Sequence, residues 1–182
     1  MRIIAGTFKS RTIIAPKGTL TRPTTDRARE SLFNVLMLQL ELEGAHVLDL
    51  FAGSGALGFE ALSRGASRVV FVEQDRMALE ALQTNRMQLR TEQSVEVVRG
   101  DVYRKLEVLS GTFQLILADA PYGDERARIE LPTKILGSEL LEREGLLVIE
   151  HRSTDSIVVP ELCERIRTLS AGEASFTILK KH

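Results

Sequence analysis

The 182-residue chain has a single cysteine, Cys163, so no internal disulfide can form and a reducing compartment suits it. No apolar stretch approaches the ~20 residues needed to span a bilayer. The start, Met1-Arg2-Ile3-Ile4-Ala5-Gly6, lacks the long apolar core of a secretion signal. Repeats, low-complexity tracts and Gly/Ser linkers are missing, so nothing divides the chain into several domains. The histidines His46, His151 and His182 show no metal-ligand spacing, and no metal is expected. Together these absences describe a cytoplasmic protein of one well-buried domain, off the membrane and expected to be a monomer, with an ordinary hydrophobic content of 43%.

Net charge is also small, at −1, but it is unevenly spread. Residues 1–29 hold Arg2, Lys9, Arg11, Lys17, Arg22, Arg27 and Arg29 against one acid, Asp26, a net of +6. The remainder carries 17 bases and 24 acids, a net of −7. A basic arm on an acidic body suggests a local phosphate-facing surface. Residues 2–5 and 11–15 read as two strands joined by Gly6-Thr7-Phe8-Lys9-Ser10, a β-hairpin with basic residues at its turn. We therefore expect residues 1–20 to form a basic hairpin arm and residues 21–182 the main domain. A helix over about 24–40 leads into that domain, with a threonine cap after Pro23 and an apolar stripe of Ala28, Leu32, Val35, Leu36 and Leu40.

From residue 46 strands and helices alternate. Strands are expected at 46–50, 68–73, 95–99, 114–119, 145–150, 156–159 and 174–180, and helices at 56–64, 75–91, 102–109, 129–142 and 160–169. Alternation of this kind predicts a doubly wound sheet with helices on both faces. Pro160 is placed in the first turn of the last helix, and Cys163 as a packing residue on it.

The segment Val47-Leu48-Asp49-Leu50-Phe51-Ala52-Gly53-Ser54-Gly55-Ala56-Leu57-Gly58 is an apolar run that ends in an acid and opens into a glycine loop. Gly53, Gly55 and Gly58 fit the dinucleotide spacing, with Glu73 ending the next strand. Asp49 argues against a dinucleotide, because a carboxylate there would repel a pyrophosphate lying on the glycines. It suits instead a cation such as the amino group or sulfonium of S-adenosylmethionine, with Glu73 accepting the ribose hydroxyls. Asp101 is placed to accept the adenine amino group, and it also fits the N-cap of the helix that follows; both roles can hold.

A second site is Asp119-Ala120-Pro121-Tyr122, after the buried run Leu115-Ile116-Leu117-Ala118. Amino nitrogens of nucleobases are poor nucleophiles because their lone pairs are delocalised into the ring. An enzyme that methylates one must orient the lone pair outward, and acceptors such as the Asp119 carboxylate and the Ala120 carbonyl would do so. Pro121 stiffens the turn and keeps Ala120 extended. Tyr122 offers a face for an extruded base. In isolation a strand-ending turn explains these residues equally well. After the fourth strand of a fold with an adenosyl site, the methyltransferase reading is preferred.

These motifs resemble the amino-group methyltransferases that pair Asp-x-Phe-x-Gly-x-Gly with Asp-Pro-Pro-Tyr. The block Arg22-Pro23-Thr24-Thr25-Asp26-Arg27-Ala28-Arg29-Glu30-Ser31-Leu32-Phe33-Asn34, the basic hairpin and Glu150-His151 resemble the RsmD family of bacterial 16S rRNA guanine-N2 methyltransferases. The resemblance implies a Rossmann-like class I methyltransferase fold with a seven-stranded, mostly parallel sheet. It implies S-adenosylmethionine as donor, S-adenosylhomocysteine as product, and a guanine of 16S rRNA in the small subunit or its precursor as substrate. By motif, Asp49, Phe51, Gly53, Gly55, Glu73 and Asp101 would contact the donor. Asp119, Ala120, Pro121 and Tyr122 would form the catalytic loop. Arg22, Thr24 and Arg27 would lie near the pocket, with Lys9 and Arg11 on the RNA. Two departures stand out: Ala120 replaces the first proline of the family loop, and Ser10 stands before Arg11 where a glycine is frequent. The alternatives are an adenine-N6 methyltransferase, for which the same loop serves, a non-catalytic assembly factor with a degenerate loop, and the NAD-dependent oxidoreductase that Asp49 disfavours.

Overall fold

The computed structural model describes residues 1–16 and 25–182. The first helix, α1 (Asp26–Gln39), starts where Thr25 accepts the Ala28 N–H at 3.2 Å, and it buries Ala28, Arg29, Leu32, Phe33 and Leu36. Strand β1 (His46–Leu50) feeds α2 (Ala56–Ser63), and β2 (Arg68–Glu73) feeds α3 (Arg76–Leu89), which is capped by Asp75. Then follow β3 (Val95–Arg99), α4 (Val102–Lys105), β4 (Phe113–Ala118), α5 (Arg126–Ile129) and α6 (Leu131–Leu136). The chain finishes with β5 (Leu141–Arg152), β6 (Cys163–Ala171) and β7 (Ala174–Lys181).

The strands form one seven-stranded sheet in the order β3-β2-β1-β4-β5-β7-β6. Only β7 runs antiparallel to its neighbours. The order reverses between β1 and β4, the switch point at which open α/β sheets bind ligands beyond their carboxyl ends. Alternation along the strands sends Val47, Val69, Phe71, Leu115, Leu117, Leu146 and Val148 to one core, with α1, α2 and α3. It sends Leu48, Leu50, Val70, Val72, Ile116, Ala118, Leu147 and Ile149 to the other, with α4, α5 and α6. The two-residue period therefore puts Asp49, Glu73, Asp119 and Glu150 on the first face, at or just beyond the carboxyl ends of β1, β2, β4 and β5.

The structure corrects five expectations. No helix covers 160–169: Cys163 opens strand β6, and no strand covers 156–159. The cause is a register shift between Arg165 and Arg167. This bulge lets Ile166 and Leu169, three positions apart, both pack on the core, so an irregular edge strand shows helical spacing. Residues 129–142 hold not one helix but the end of α5, α6 and the start of β5. The helix of 102–109 is limited to α4. The hairpin strands of 2–5 and 11–15 are reduced to one bridge, Arg2 to Thr12. Its ladder stops because the N–H groups of Ile4 and Ala5 turn to the buried Glu60 carboxylate at 2.8 and 3.2 Å. Ile3 and Ile13 sit in the core, so this segment is a docked flap rather than a projecting arm.

Candidate active site

The loop between β1 and α2 is built by glycine and by one strained residue. Phe51 is a bulky side chain at φ +59°, a conformation that costs about 1–2 kcal/mol and marks functional turns. Its ring meets Tyr103 edge-on at 6.0 Å. Gly53 has φ +56° with open space where a Cβ would stand, so the backbone there is open to close approach. Gly55 has φ +81°, and a Cβ there would reach Leu82 at 2.5 Å. Its neighbour Ser54 is held by Asn85, which donates to the Ser54 carbonyl at 2.9 Å while pairing with both backbone groups of Ile14. The flap is thereby tied to the glycine loop.

Two acids bracket this loop. Asp49 is buried, accepts the Gly58 N–H at 2.9 Å, and has its pKa pushed up to about 8. Burial is the largest cause, opposed by the Gly58 hydrogen bond and reinforced by Glu73. Glu73 accepts the Gly53 N–H at 2.7 Å, and its other oxygen accepts from Gln74 and Asp75. A buried, raised-pKa acid with no basic side chain among the causes of its shift, beside an open glycine backbone, fits a cationic nucleoside ligand. Asp101 caps α4 by accepting the Arg104 N–H at 3.0 Å and stands half-exposed beyond β3.

Asp119 follows β4 on the same face as Asp49, beside Glu150 of β5. Burial, then the charges of Glu150 and Asp49, hold its pKa well above the usual carboxylate range. Ala120 is buried in the second core, and Tyr122 is 40% exposed. The Tyr122 hydroxyl donates to Glu150 at 3.3 Å, and the Arg152 guanidinium lies 5.4 Å from its ring. Burial and the two acids raise the Tyr122 phenol to about 12, so it stays a donor at neutral pH.

The sequence-expected residues divide clearly. Asp49, Phe51, Gly53, Gly55, Glu73, Asp119 and Tyr122 gather at the sheet switch point, with Asp101 at the rim. Lys9, Arg11 and Arg27 are exposed; Arg11 also donates to the Gln88 carbonyl at 2.5 Å. Arg22 and Thr24 lie outside the described residues. Arg29 is not part of a basic surface: it is buried and bonds the Arg2 carbonyl and Asp26. Glu150, Arg152 and Tyr103 were missed as site residues. For Glu150 the signal was present, since it shares strand parity with the core residues Leu146 and Val148 at a carboxyl end. Among the described residues no group of three or more His, Cys, Asp and Glu is arranged to hold a metal ion. No helix there is long and apolar enough to cross a membrane.

Residues 1–180 match the family described as conserved hypothetical protein 95. The chain is 40% identical over 154 residues to a putative rRNA methyltransferase, YlbH, of Bacillus subtilis, covering 83% of this chain and 82% of that one. It is 32% identical to ribosomal RNA small subunit methyltransferase D of Escherichia coli, over 100% of this chain and 90% of the relative. Among solved structures, a putative methyltransferase, yhhF, of Escherichia coli superposes with a TM-score of 0.85 at 31% identity. That match covers 100% of this chain and 98% of the other.

Proposed function

The chain belongs to the RsmD family of ribosomal RNA methyltransferases, and from that premise we propose that it methylates the exocyclic N2 amine of a guanine in 16S rRNA, using S-adenosylmethionine. The observation that carries this reading is the shared sheet face of Asp49 and Asp119 on adjacent strands β1 and β4. One acid serves a cationic donor, the other an amine, and one pocket joins them.

Asp49 would face the positive end of the donor, and Glu73 its ribose hydroxyls, exchanging one of its backbone partners. Asp101 and Phe51 would flank its base. Bound there, S-adenosylmethionine supplies a methyl carbon made electrophilic by a sulfonium. The protein's own part is orientation. Asp119 and the Ala120 carbonyl accept the amino hydrogens and turn the lone pair toward that carbon. Tyr122, exposed and anchored through Glu150, stacks the extruded base. Lys9, Arg11 and Arg27 meet phosphates, and Arg22 and Thr24, by family resemblance, complete the wall. The substrate is the small subunit or its precursor in the cytoplasm.

The test is incubation with labelled S-adenosylmethionine and unmodified small subunits, beside naked 16S rRNA and DNA, followed by nucleoside analysis. Label in N2-methylguanosine is expected, and the stronger RNA sample identifies the substrate form. Label in N6-methyladenosine would overturn the base assignment. Absence of label in every sample despite donor binding would make the protein an assembly factor.

A further inference from the structure

Glu150 has no part in the donor site, yet it is enclosed beside the target loop, only 5% exposed. Parallel pairing of Ala118 with Ile149 brings the next residues of β4 and β5, Asp119 and Glu150, side by side on one face of the sheet. Burial and then the charge of Glu150 hold the Asp119 pKa well above the usual carboxylate range, so the two carboxyls compete for one proton. The Tyr122 hydroxyl donates to Glu150 at 3.3 Å. The adjoining His151 is committed elsewhere, to the Arg152 carbonyl at 2.8 Å and Thr177 at 2.9 Å.

We propose that Glu150 is a positioning residue for methyl transfer: with Asp119 it forms a carboxylate pair that takes up, and then holds between its two groups, the proton that the methylated amine must lose. The inference rests on the base-methylation reading of the same site. In that reaction the amine lone pair forms the N–CH3 bond, and the S–CH3 bond pair leaves with sulfur. The nitrogen is left with one proton in excess. A carboxylate alone in an exposed turn would be a weak acceptor, ionised far below neutral pH. Two carboxylates sharing a site cannot both ionise easily, which makes the doubly ionised pair a stronger base toward its first proton. The pair receives the proton, shares it between the two carboxyls, and returns it to water along the exposed Tyr122 edge. Among the described residues, the charged and titratable groups that act on the pair include Asp49 from β1, Tyr122 from the loop after β4, and Arg152 from β5, with Glu73 acting on Asp49. The acids make the pair more basic, and Arg152 opposes them at the exposed edge.

Two measurements test this. The first needs no activity: infrared titration of the protonated-carboxyl stretch in the free protein, wild type against Glu150→Gln and Glu150→Asp. Macroscopic values are read, because the pair titrates as a unit. The raised carboxyl titration of the wild type should move down by about one pH unit or more in Glu150→Gln and stay high in Glu150→Asp. The second is the single-turnover rate on unmodified subunits from about pH 5 to about pH 9. The acid limb should shift downward in Glu150→Gln together with a loss of roughly tenfold or more at the plateau, and Glu150→Asp should recover most of both. If Glu150 only props Tyr122, Glu150→Gln slows the reaction but leaves both midpoints in place, and the proposal falls. If the infrared midpoint moves but no nucleic acid is methylated, the methyltransferase reading falls while the shared proton stands. Equal melting temperatures of the variants and the wild type exclude misfolding as the cause; should Glu150→Gln not fold, an unshifted midpoint in Glu150→Asp at full rate, against a lowered one in Asp119→Asn, decides the same question.

Discussion

Replacing Asp49 by asparagine should make the donor-free protein more stable at alkaline pH while weakening donor binding. Burial pushes Asp49 from the ordinary 3.8 up to about 8. The folded chain therefore holds a proton that the unfolded chain has released, across the window between those values. The raised folded pKa gives full stability below about pH 4, a progressive loss as pH rises through about 8, and no further loss above it. A separation of that size corresponds to at most about 6 kcal/mol. Asparagine keeps an oxygen for the Gly58 N–H and carries no charge, so this component of the pH dependence disappears. Asp119 titrates with the same sign in both proteins; losing the Asp49 charge lessens its raised pKa and so adds to the difference in the same direction. Denaturant unfolding at about pH 5, 7 and 9 should show the variant gaining on the wild type by a few kcal/mol between the extremes. Donor binding should show the complementary effect. At pH 7 only about one tenth of Asp49 is ionised, so affinity should sit about tenfold below its alkaline plateau, and binding should release about 0.9 proton. Calorimetry in buffers of different ionisation enthalpy measures that release. In the variant the release vanishes, and alkaline affinity falls by roughly 1.5–3 kcal/mol, as when one partner of a charged hydrogen bond is lost. Parallel stability profiles for the two proteins, or binding without proton release, would show that Asp49 is neither buried uncompensated nor opposed to the donor cation.

Three further outcomes follow from local geometry. Ser10 sits at φ +67°, so Ser10→Gly should raise stability by about 0.5–1 kcal/mol in thermal unfolding, because glycine adopts that conformation without strain. Gly58→Ala should destabilise the protein by about 1–3 kcal/mol. A new Cβ would lie 2.3 Å from Phe71 Cε1, and that overlap outweighs the ~1 kcal/mol by which alanine favours a helix interior. Tyr122→Phe should retain most RNA affinity, whereas Tyr122→Ala should lose about 1–3 kcal/mol in filter binding to the substrate RNA, since the ring face and not the hydroxyl stacks the base.

Much of this was legible in sequence for a physical reason. Strands β1, β2 and β3 are short, apolar and ended by acids or glycines, so period and punctuation agree. Acids at strand ends of a doubly wound sheet converge by topology alone, which is why the sequence places Asp49, Glu73, Asp101 and Asp119 on one edge. Strand β6 was read as a helix because the bulge at Arg165–Arg167 resets its two-residue period and leaves a three-residue spacing. The flap lost its strands because Glu60, 55 or more residues away in the chain, takes the N–H groups of Ile4 and Ala5. Nothing near residue 4 encodes that bond. Arg29 shows the same limit: it counts as surface charge in composition, yet it is buried against the Arg2 carbonyl. Glu150 is legible only in part: its parity with Leu146 and Val148 places it on the site face, whereas its place beside Asp119 depends on β5 lying next to β4, which the sheet order supplies.

The most direct test is made in cells of the source organism lacking this protein. Small subunits from them should lack a single N2-methylguanosine in 16S rRNA by mass spectrometry. Wild-type chain should restore it, and Asp119→Ala, folded and still able to bind S-adenosylmethionine, should not. Subunits with an unchanged methylation pattern, or restoration by Asp119→Ala at the wild-type level, would contradict the assignment of this site to methyl transfer.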